Sequence, residues 1–251
     1  MNKSKILNVE IANITQEELL AQLMRGILVT PNVDQVVKMQ SDRKYYDIVK
    51  RAEWCVCDSK ILYLCTKLTN QPLKETVSGS SFFPAFCDYH KNDANCRIFL
   101  LGAMEGVALM AMERINERVG RQIVVGAYSP SYGFEKKQEE NDDIYRMINT
   151  SGANVVLVGV GCPKQEKWID KHKAMMPGVD IWMALGATID FEAGNIKRAP
   201  MIWRKLCVEW FYRFLQEPRR MYKRYFVDDL RFFWYFGKQL LGHYKNPFEN
   251  K

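Results

Sequence analysis

The residues with the clearest chemical potential are polar side chains that directly follow apolar runs. Asp58 comes after the run at 53–57, and Thr30 and Asn32 come after the run at 26–29. A carboxylate in this position can be a general base that deprotonates a hydroxyl nucleophile, or it can cap the next helix. Thr30 and Asn32 can hydrogen-bond a sugar, or they can shape a turn.

A second stretch could hold phosphate. Residues 159–166 read Gly-Val-Gly-Cys-Pro-Lys-Gln-Glu and follow the apolar run at 154–158. Glycines let the backbone approach a ligand, and Pro163 sits where a helix would begin and present N–H groups to phosphate. Position 164 is Lys, so the dinucleotide fingerprint fails, and there is no Walker sequence. A plain tight turn is the alternative interpretation.

Other candidates follow the remaining apolar runs. Asp190 could cap a turn or bind ribose hydroxyls, and Tyr132 could be a core residue or a platform for a flat base.

The sequence gives no sign of a metal site. No D-x-D pair stands beside the candidate phosphate loop, because Asp142-Asp143 lies in a helix-like polar stretch. The seven cysteines are scattered and the three histidines are isolated, which argues against a metal site and for reduced thiols in a cytosolic protein. The sequence therefore predicts phosphate handling without a divalent metal.

These residues need a sheet to bring them together. Six apolar runs read as strands, at 26–29, 53–57, 97–101, 122–125, 154–158 and 180–185. The stretches between them are long enough for helices, most clearly Val107–Val119. Such alternation predicts an α/β fold: an open, doubly wound, mostly parallel sheet with helices on both faces. Ligands bind such sheets at the carboxyl ends of the strands, where the candidate residues fall.

The last 57 residues differ from the rest. Residues 195–251 hold 13 Lys/Arg against 5 Asp/Glu and 15 of the 31 aromatic residues, whereas residues 1–194 are nearly neutral. This predicts a catalytic domain over 1–194 and a helical, membrane-associating appendage over 195–251. A second helix opening at Pro218 is expected to carry Tyr222, Phe226, Phe233 and Phe236 as one aromatic stripe. The alternative is a buried helical hairpin with solvated Lys/Arg.

No secretory signal and no run of 18 apolar residues is present, so any membrane contact is expected to be peripheral. A nucleic-acid binder would suit the basic pI of about 9.0, but the basic residues alternate with large aromatics and no reading motif is present. A nucleotide-dependent oxidoreductase lacks the third glycine and the ribose-binding acid.

Together the motifs resemble the WecG/TagA/CpsF glycosyltransferase family from about residue 5 to about 225. The matching pieces are T-P-N-V-D at 30–34, the strand and Asp at 52–58, V-S-G-S at 77–80, I-F-L-L-G-A at 98–103, S-Y-G-F at 131–134, V-L-V-G-V-G-C-P-K-Q-E at 156–166, L-G-A-T-I-D-F-E-A-G at 185–194, K-R-A-P at 197–200 and V-E-W-F-Y-R-F-L-Q-E-P-R-R at 208–220.

The resemblance implies a Rossmann-like domain with a C-terminal appendage. It also implies an inverting, metal-independent transfer of a hexose or N-acetylhexosamine from a UDP-sugar to a polyprenyl-diphosphate-linked sugar. The partners implied are that acceptor and the anionic inner leaflet, with no nucleic acid and no cofactor beyond the UDP-sugar donor; the oligomeric state stays open, a homo-oligomer included. A non-catalytic, membrane-associated nucleotide-sugar-binding component of a polysaccharide assembly complex is the alternative.

The resemblance also implies roles for residues. Asp58 matches the base, Thr30 and Asn32 lie near the transferred sugar, and Gln165 meets the donor. The implied substrate-binding residues are Gly102, Tyr132, Gly159, Gly161, Pro163, Lys164, Glu166, Gly186, Asp190, Arg198, Arg213, Arg220 and Arg224. Tyr132 and Asp190 look like the uridine contacts, and Arg213, Arg220 and Arg224 match arginines that meet the lipid diphosphate.

Four positions depart from the family pattern. The family's P-D-G after the second strand reads Cys57-Asp58-Ser59 here. The family's E-R-V-x-G-x-D reads Glu75-Thr76-Val77-Ser78-Gly79-Ser80-Ser81 here, so an Arg and an Asp are replaced by Thr76 and Ser81. If those residues contact a sugar, the specificity for donor or acceptor is altered.

Overall fold

A six-stranded sheet, parallel throughout, forms the centre of the protein. The computed structural model describes residues 2–196 and 229–249. The sheet has the order β4-β3-β8-β7-β5-β6, and a separate antiparallel hairpin pairs β1 with β2. The strands are β1 Lys3–Ile6, β2 Val9–Ala12, β3 Gly26–Val29, β4 Trp54–Cys55, β5 Ile98–Gly102, β6 Val124–Tyr128, β7 Val155–Gly159 and β8 Ile181–Ala184.

Helices cover both faces of this sheet. Within the described residues they are α1 Gln16–Gln22, α2 Val33–Lys38, α3 Arg43–Arg51, α4 Lys60–Thr66, α5 Gly79–Tyr89, α6 Val107–Val119, α7 Gln138–Ser151, α8 Lys164–His172, α9 Thr188–Glu192 and α10 Asp229–Leu240. Short 3₁₀ turns occupy Phe134–Lys136 and Lys173–Met175. The predicted α/β fold, with a mostly parallel sheet and helices on both faces, is confirmed.

Strand alternation divides the core into two layers. In β7, Val156 and Val158 pack in one hydrophobic cluster, and Val155 and Leu157 pack in the other. Successive strand side chains point to opposite faces, so a strand buried on both sides is apolar throughout. The first cluster lies under α2, α3, α4, α7, α8 and α10, and the second lies under α1, α5, α6 and α9.

The six predicted strands are all present, β3 over its predicted range and the other five with shifted ends. The strand predicted at 53–57 is only Trp54–Cys55, and the strand predicted at 122–125 runs over Val124–Tyr128. The hairpin of β1 and β2 was not predicted. Its strands have four residues each, and the polar Ser4 occupies one of the buried positions, so the alternation of apolar and polar residues is too short to identify a strand.

Helix α10 packs onto the body of the protein. Phe232 and Phe236 are buried in the first core cluster, whereas Phe233 is 48% exposed. The prediction that Phe233 and Phe236 share one aromatic stripe is therefore wrong. Phe236 pairs with Phe232 instead, one helical turn earlier, and their rings stack with centroids 5.7 Å apart.

The residues after α10 continue along the same surface. The Gln239 side chain accepts a hydrogen bond from the Leu7 N–H at 2.7 Å and donates to the Lys5 carbonyl at 3.2 Å. Tyr244 donates to Gln40 at 2.6 Å, and the Phe248 ring lies 5.3 Å from that of Tyr46. The predicted appendage thus ends in a segment, 229–249, that is packed against the predicted catalytic domain. The division at residue 194 stays a prediction, and the predicted Pro218 start of the second helix lies outside the described residues.

Within the described ranges, no helix combines the length and the apolar character that crossing a membrane requires.

Candidate active site

The carboxyl ends of the six sheet strands lie at one edge, because all the strands are parallel. The loops that follow the strands form a rim, which we define by its six segments at 30–32, 56–59, 103–106, 129–133, 160–163 and 185–187. The sheet order places the loop after β3 between those after β4 and β8, and the loop after β7 between those after β8 and β5. The rim therefore contains Thr30, Asn32, Asp58, Tyr132, Gly161, Pro163 and Gly186. The other predicted site residues of residues 1–194 lie next to it, at the ends of β5 and β7 and at the starts of α8 and α9.

Asp58 lies in the rim between β4 and α4. The cap of α4 is Ser59, whose hydroxyl accepts from the Leu62 N–H at 3.2 Å. The alternative that Asp58 caps this helix is therefore wrong. Asp58 is half-buried, and its main-chain N–H donates to the Pro31 carbonyl at 3.2 Å. This bond holds the carboxylate beside the loop that carries Thr30 and Asn32.

The loop before α5 also reaches Asp58. The Val77 N–H donates to the Cys57 carbonyl at 2.8 Å, so residues 75–78 run next to the proposed base. Ser81, one of the departures from the family pattern, lies in the first turn of α5, where its hydroxyl is 2.8 Å from that of Ser78. Thr76 therefore lies on a loop that runs beside Asp58, and Ser81 lies on the helix turn that follows this loop. The other departures, Cys57 and Ser59, are the neighbours of Asp58 in the chain.

Asn32 has a structural role of its own. It is the N-cap of α2: its side-chain oxygen accepts from the Gln35 N–H at 3.2 Å, and Gln35 accepts from the Asn32 N–H at 2.8 Å. This reciprocal pair favours the turn-shaping interpretation for the oxygen of Asn32. Thr30 is 6% exposed, so only an edge of its side chain reaches the surface. A contact of either residue with a sugar stays a prediction.

Two glycines at the strand ends are explained by packing. A Cβ on Gly102 would lie 2.5 Å from the Gly159 carbonyl oxygen, and a Cβ on Gly159 would lie 2.6 Å from the Gly186 carbonyl oxygen. The absence of a side chain at these glycines lets β5, β7 and β8 approach each other closely. The packing of the sheet requires this whether or not a ligand binds. Gly161 differs, because it has φ +88° and a Cβ there would meet no atom within 4 Å. It is the glycine of the β7 loop whose surroundings leave room for a ligand.

Gln165 and Glu166 lie inside the protein, each 1% exposed. Helix α8 begins at Lys164, with Pro163 at its N-cap position. The Gln165 side chain accepts from the Gly186 N–H at 3.2 Å and donates to Glu166 Oε1 at 3.1 Å. These hydrogen bonds join the β7 loop to the β8 loop. A direct contact of either side chain with a ligand stays a prediction.

Tyr132 stands at the outer end of the rim. Its side chain is 97% exposed, so the core interpretation is wrong. The Lys164 ammonium lies 5.5 Å from the centroid of the Tyr132 ring and 3.8 Å from Glu135. An exposed ring with a cation beside it suits stacking on a flat base, and that role stays a prediction.

Sequence patterns do not reveal the residue that holds the Tyr132 loop. Glu140 of α7 accepts hydrogen bonds from the Ser131 N–H at 2.7 Å and from the Tyr128 hydroxyl at 3.2 Å. Burial raises the pKa of Glu140, but the hydrogen bonds from Ser131 and Tyr128 outweigh it and leave the pKa below its ordinary value. A single Glu in a polar helix has no pattern that distinguishes it from a solvated residue.

Asp190 is the third residue of α9, whose N-cap position is Ala187. It is therefore not the N-cap, and its carboxylate instead complements the positive end of the helix. Its ribose contact stays a prediction.

The four predicted arginine contacts cannot be placed, because Arg198, Arg213, Arg220 and Arg224 lie outside the described residues. No group of three potential metal-ligating side chains occurs in residues 2–196 and 229–249, and metal independence stays a prediction.

Two comparisons with known proteins bear on this site. The chain is 26% identical over 205 residues, 82% of its length, to the N-acetylglucosaminyldiphosphoundecaprenol N-acetyl-beta-D-mannosaminyltransferase of Bacillus subtilis (strain 168), of which 77% is covered. It is 29% identical over 201 residues, 80% of its length, to the protein of the same name from Bacillus spizizenii, of which 75% is covered.

The family profile agrees with these relatives. It matches residues 4–246, which include the rim, the segment outside the described residues and helix α10. Because this match covers most of its length, the chain belongs to the glycosyl transferase WecG/TagA/CpsF family.

Proposed function

We propose that this glycosyltransferase moves a hexose or N-acetylhexosamine from a UDP-sugar to a polyprenyl-diphosphate-linked sugar with inversion at the anomeric carbon. The observation that carries the proposal is the placement of Asp58. It is not the helix cap, and a main-chain hydrogen bond holds it against the Thr30–Asn32 loop, at the rim where ligands bind parallel sheets.

In the proposed step, an acceptor hydroxyl oxygen attacks the anomeric carbon of the donor. Its proton passes to the Asp58 carboxylate, and the bond from that carbon to the β-phosphate oxygen breaks with its electron pair going to UDP. The acceptor approaches from the Asp58 side, and the nucleotide lies on the opposite side of the sugar.

The other half of the rim suits the leaving nucleotide. Gly161 leaves room beside the start of α8, where the helix presents main-chain N–H groups and the positive end of its dipole. Lys164 adds a cation in the first turn of that helix, and Tyr132 adds a ring beside it. Charge that develops on the β-phosphate can be stabilised there without moving the acceptor side.

The test compares Asp58→Asn with the unaltered enzyme. Turnover, measured as UDP release with a synthetic polyprenyl-diphosphate sugar, should fall at least about 100-fold, the usual scale for a general base. Affinity for UDP, measured by calorimetry, should stay within about twofold, because the nucleotide lies on the far side of the sugar. Unchanged turnover would exclude Asp58 as the base, and failure to bind UDP would exclude the donor class.

The donor sugar is part of the same proposal. The relatives' name points to an N-acetylmannosaminyl donor and an N-acetylglucosaminyl-diphosphoundecaprenol acceptor. Thr76, on the loop beside Asp58, and Ser81, in the helix turn after this loop, depart from the family pattern, so a different hexose is also a candidate. UDP release across UDP-linked N-acetylmannosamine, N-acetylglucosamine, glucose and galactose would identify the donor.

We also propose that the enzyme binds the inner leaflet peripherally. Besides its buried face, α10 has an exposed apolar face with Leu230 56% and Trp234 65% exposed, and Leu241 directly after it is 74% exposed. The Lys238 ammonium lies 4.7 Å from the Trp234 ring centroid. Trp, Leu and Lys on one helix face are typical of helices that lie at the lipid–water boundary.

The membrane proposal is tested with vesicles that contain anionic phospholipid. Trp234→Ser should reduce co-sedimentation, while Met24→Ser should leave it unchanged. Met24 is 69% exposed but precedes β3, at the amino end of the sheet. Equal binding by both variants would contradict the assignment of this face to the lipid.

A further inference from the structure

Helix α4 has one buried side and one exposed side. Leu62 and Cys65 are buried in the first core cluster, 0% and 8% exposed. Leu64 is 52% exposed, and Leu68, in the turn that ends the helix, is 68% exposed. A single exposed leucine is ordinary, so the chemistry of its neighbours decides what this side of the helix contacts.

Two lysines and a tyrosine share the exposed side of α4. Lys60, Tyr63 and Lys67 are spaced by three and four residues, which places them on one face of the helix. The ammonium groups of Lys60 and Lys67 lie 5.0 Å and 4.6 Å from the centroid of the half-buried Tyr63 ring. Lys67 also donates a hydrogen bond to the Leu73 carbonyl at 3.1 Å. One ring therefore stands between two like charges.

No acidic side chain balances these charges within the described parts of the chain. Residues 59–73 contain no Asp or Glu, and neither lysine forms a salt bridge with a described residue. Other lysines of the surface are paired, Lys38 with Asp34 at 2.8 Å and Lys74 with Glu18 at 2.6 Å. The exposed side of α4 is therefore apolar, aromatic and positively charged, which is typical of helices at the lipid–water boundary.

Helix α4 lies on the same side of the molecule as α10. Both helices pack on the first core cluster, so both cover one face of the sheet. Both also contact β1, because α4 packs against this strand and Gln239 of α10 donates to the Lys5 carbonyl. The exposed side of α4 therefore extends the lipid-binding face proposed for α10 towards Asp58.

Charge favours lipid over a protein partner from this chain. A second copy that docked through α4 about a twofold axis would bring Lys60 and Lys67 towards the same lysines, with no acid on either helix. Residues 197–228, outside the described residues, hold nine Lys/Arg against three Asp/Glu and would add more positive charge. An anionic phospholipid surface attracts the lysines and accepts the leucine and tyrosine side chains among its headgroups.

We infer that the exposed side of α4, formed by Lys60, Tyr63, Leu64, Lys67 and Leu68, is a second membrane-binding surface that docks on anionic phospholipid and holds the acceptor side of the rim at the headgroups. We call it the α4 surface. The inference rests on the proposed function for the acceptor and for the membrane contact of α10.

The position of the α4 surface gives it a role in the reaction. Leu64 comes five residues after Ser59, the N-cap of α4, which is about 8 Å along the helix axis. The headgroup region of one leaflet has a similar depth, about 5–8 Å. When Leu64 contacts the hydrocarbon, a sugar linked to a lipid diphosphate at the headgroups would therefore lie within reach of Asp58.

The first experiment measures partition of the full chain onto vesicles of phosphatidylglycerol with phosphatidylcholine, and onto vesicles of phosphatidylcholine alone. Leu64→Ser should reduce partition about threefold or more on both, because apolar contact is lost. Lys60→Gln should reduce it about fivefold on the anionic vesicles, the usual contribution of one basic residue, and leave the neutral vesicles unchanged.

Leu109→Ser is the matched control for Leu64→Ser. Leu109 is 50% exposed, but its helix α6 packs on the second core cluster, at the opposite face of the sheet. Its substitution should leave partition unchanged. All three positions are exposed, so the melting temperatures of the variants should stay close to that of the unaltered enzyme.

The second experiment separates docking from a general loss of activity. UDP release is measured with a polyprenyl-diphosphate sugar embedded in the anionic vesicles and with an analogue whose short chain keeps it in solution. Leu64→Ser should lower turnover about threefold or more on the embedded acceptor, in line with its lost partition, and leave turnover of the soluble acceptor within about twofold. Equal losses on both acceptors would mean a structural role for Leu64 and would overturn the inference.

Comparison with Trp234→Ser separates this inference from the membrane contact of α10. Two surfaces that bind one bilayer independently predict that the double variant Leu64→Ser/Trp234→Ser loses partition by the product of the two single losses. A loss from Trp234→Ser with none from Leu64→Ser or Lys60→Gln would leave the α10 proposal standing and refute the α4 surface.

The remaining outcomes are also distinct. A lower mass of Leu64→Ser in sedimentation equilibrium, with unchanged partition, would identify α4 as a contact between copies of the chain and overturn the inference. Failure of the unaltered enzyme to bind anionic vesicles would refute the membrane proposal and the α4 surface together. Vesicle binding that follows the expected pattern without turnover of any UDP-sugar would refute the proposed reaction and leave the α4 surface as a lipid-binding site.

Discussion

The two halves of the rim are built in opposite ways. Around β3 and β4, the main chain and helix caps provide the support, and the Asp58 side chain reaches the surface. Around β7 and β8, the side chains of Gln165 and Glu166 provide the support from within, and the main chain of Gly161 reaches the surface. The first half suits proton transfer, which needs a side chain, and the second suits a diphosphate, which main-chain N–H groups can bind.

This difference predicts how each half responds to substitution. A change in the β3–β4 half should affect the rate more than the stability. A change in the β7–β8 half should affect both, because the supporting residues there also belong to the core.

The largest effect is expected from Gly159→Ala in the β7–β8 half. Its Cβ would lie 2.6 Å from the Gly186 carbonyl oxygen, so the strand ends must separate. We expect a loss of about 3 kcal/mol in the free energy of unfolding, at the upper end for overpacking, measured by urea denaturation. Gly178→Ala is the control, because a Cβ at Gly178 meets no atom within 4 Å. Similar losses in both variants would show that the close strand approach is not the cause.

A smaller effect is expected from removing a helix cap in the β3–β4 half. Ser59→Ala should destabilise the protein by about 1 kcal/mol, the usual cost of a lost N-cap, and should also lower turnover because α4 begins directly after the Asp58-Ser59 pair. Thr15→Ala removes the capping box of α1, which precedes β3 at the other end of the sheet. It should cost a similar free energy of unfolding without changing turnover. Equal turnover in the two variants would mean that the cap does not position Asp58.

The smallest effect at neutral pH is expected from protonation of His172, and this effect on stability grows as the pH falls. Burial lowers its pKa from 6.5 to about 4, next to Tyr145 and Trp168 at the α7–α8 contact. The unfolded state therefore binds more protons between these values, and the stability falls as the pH drops from 6.5 to 4. In the unaltered enzyme, the protection of amides from hydrogen exchange, expressed relative to their intrinsic rates, should decrease between pH 7 and pH 5 more in α8 than in α4. An equal change of protection in both helices would remove this distinction between the two halves.

Much of the fold follows from local patterns. The six apolar runs became the six strands of the sheet, and Val107–Val119 forms a helix over its predicted range, because side-chain periodicity reports burial directly. The short hairpin was not predicted, since its strands have only four residues each and one buried position is the polar Ser4. The aromatic stripe of α10 was misassigned because Phe232, Phe233 and Phe236 are equally apolar, and only packing against α2 and the core selects Phe232 and Phe236 for burial.

The sequence predicted that the candidate residues gather at one edge of the sheet, but it did not predict the direction of each side chain. The polar residues that follow the strands lie near each other, because the carboxyl ends of parallel strands are at the same edge of the sheet. The direction of each side chain was not encoded locally: Gln165 and Tyr132 both follow apolar strands, yet one is 1% and the other 97% exposed.

The amino-acid sequence alone determined the class of fold, the edge of the sheet at which the candidate residues gather and the family to which the chain belongs, because these depend on residue type and spacing along the chain. Only the tertiary structure decided that β7 lies beside β8, that Gln165 therefore reaches Gly186, and that Ser59 rather than Asp58 caps α4. These contacts depend on which distant segments pack together, and that choice is made by the burial of the whole core rather than by any local stretch of residues.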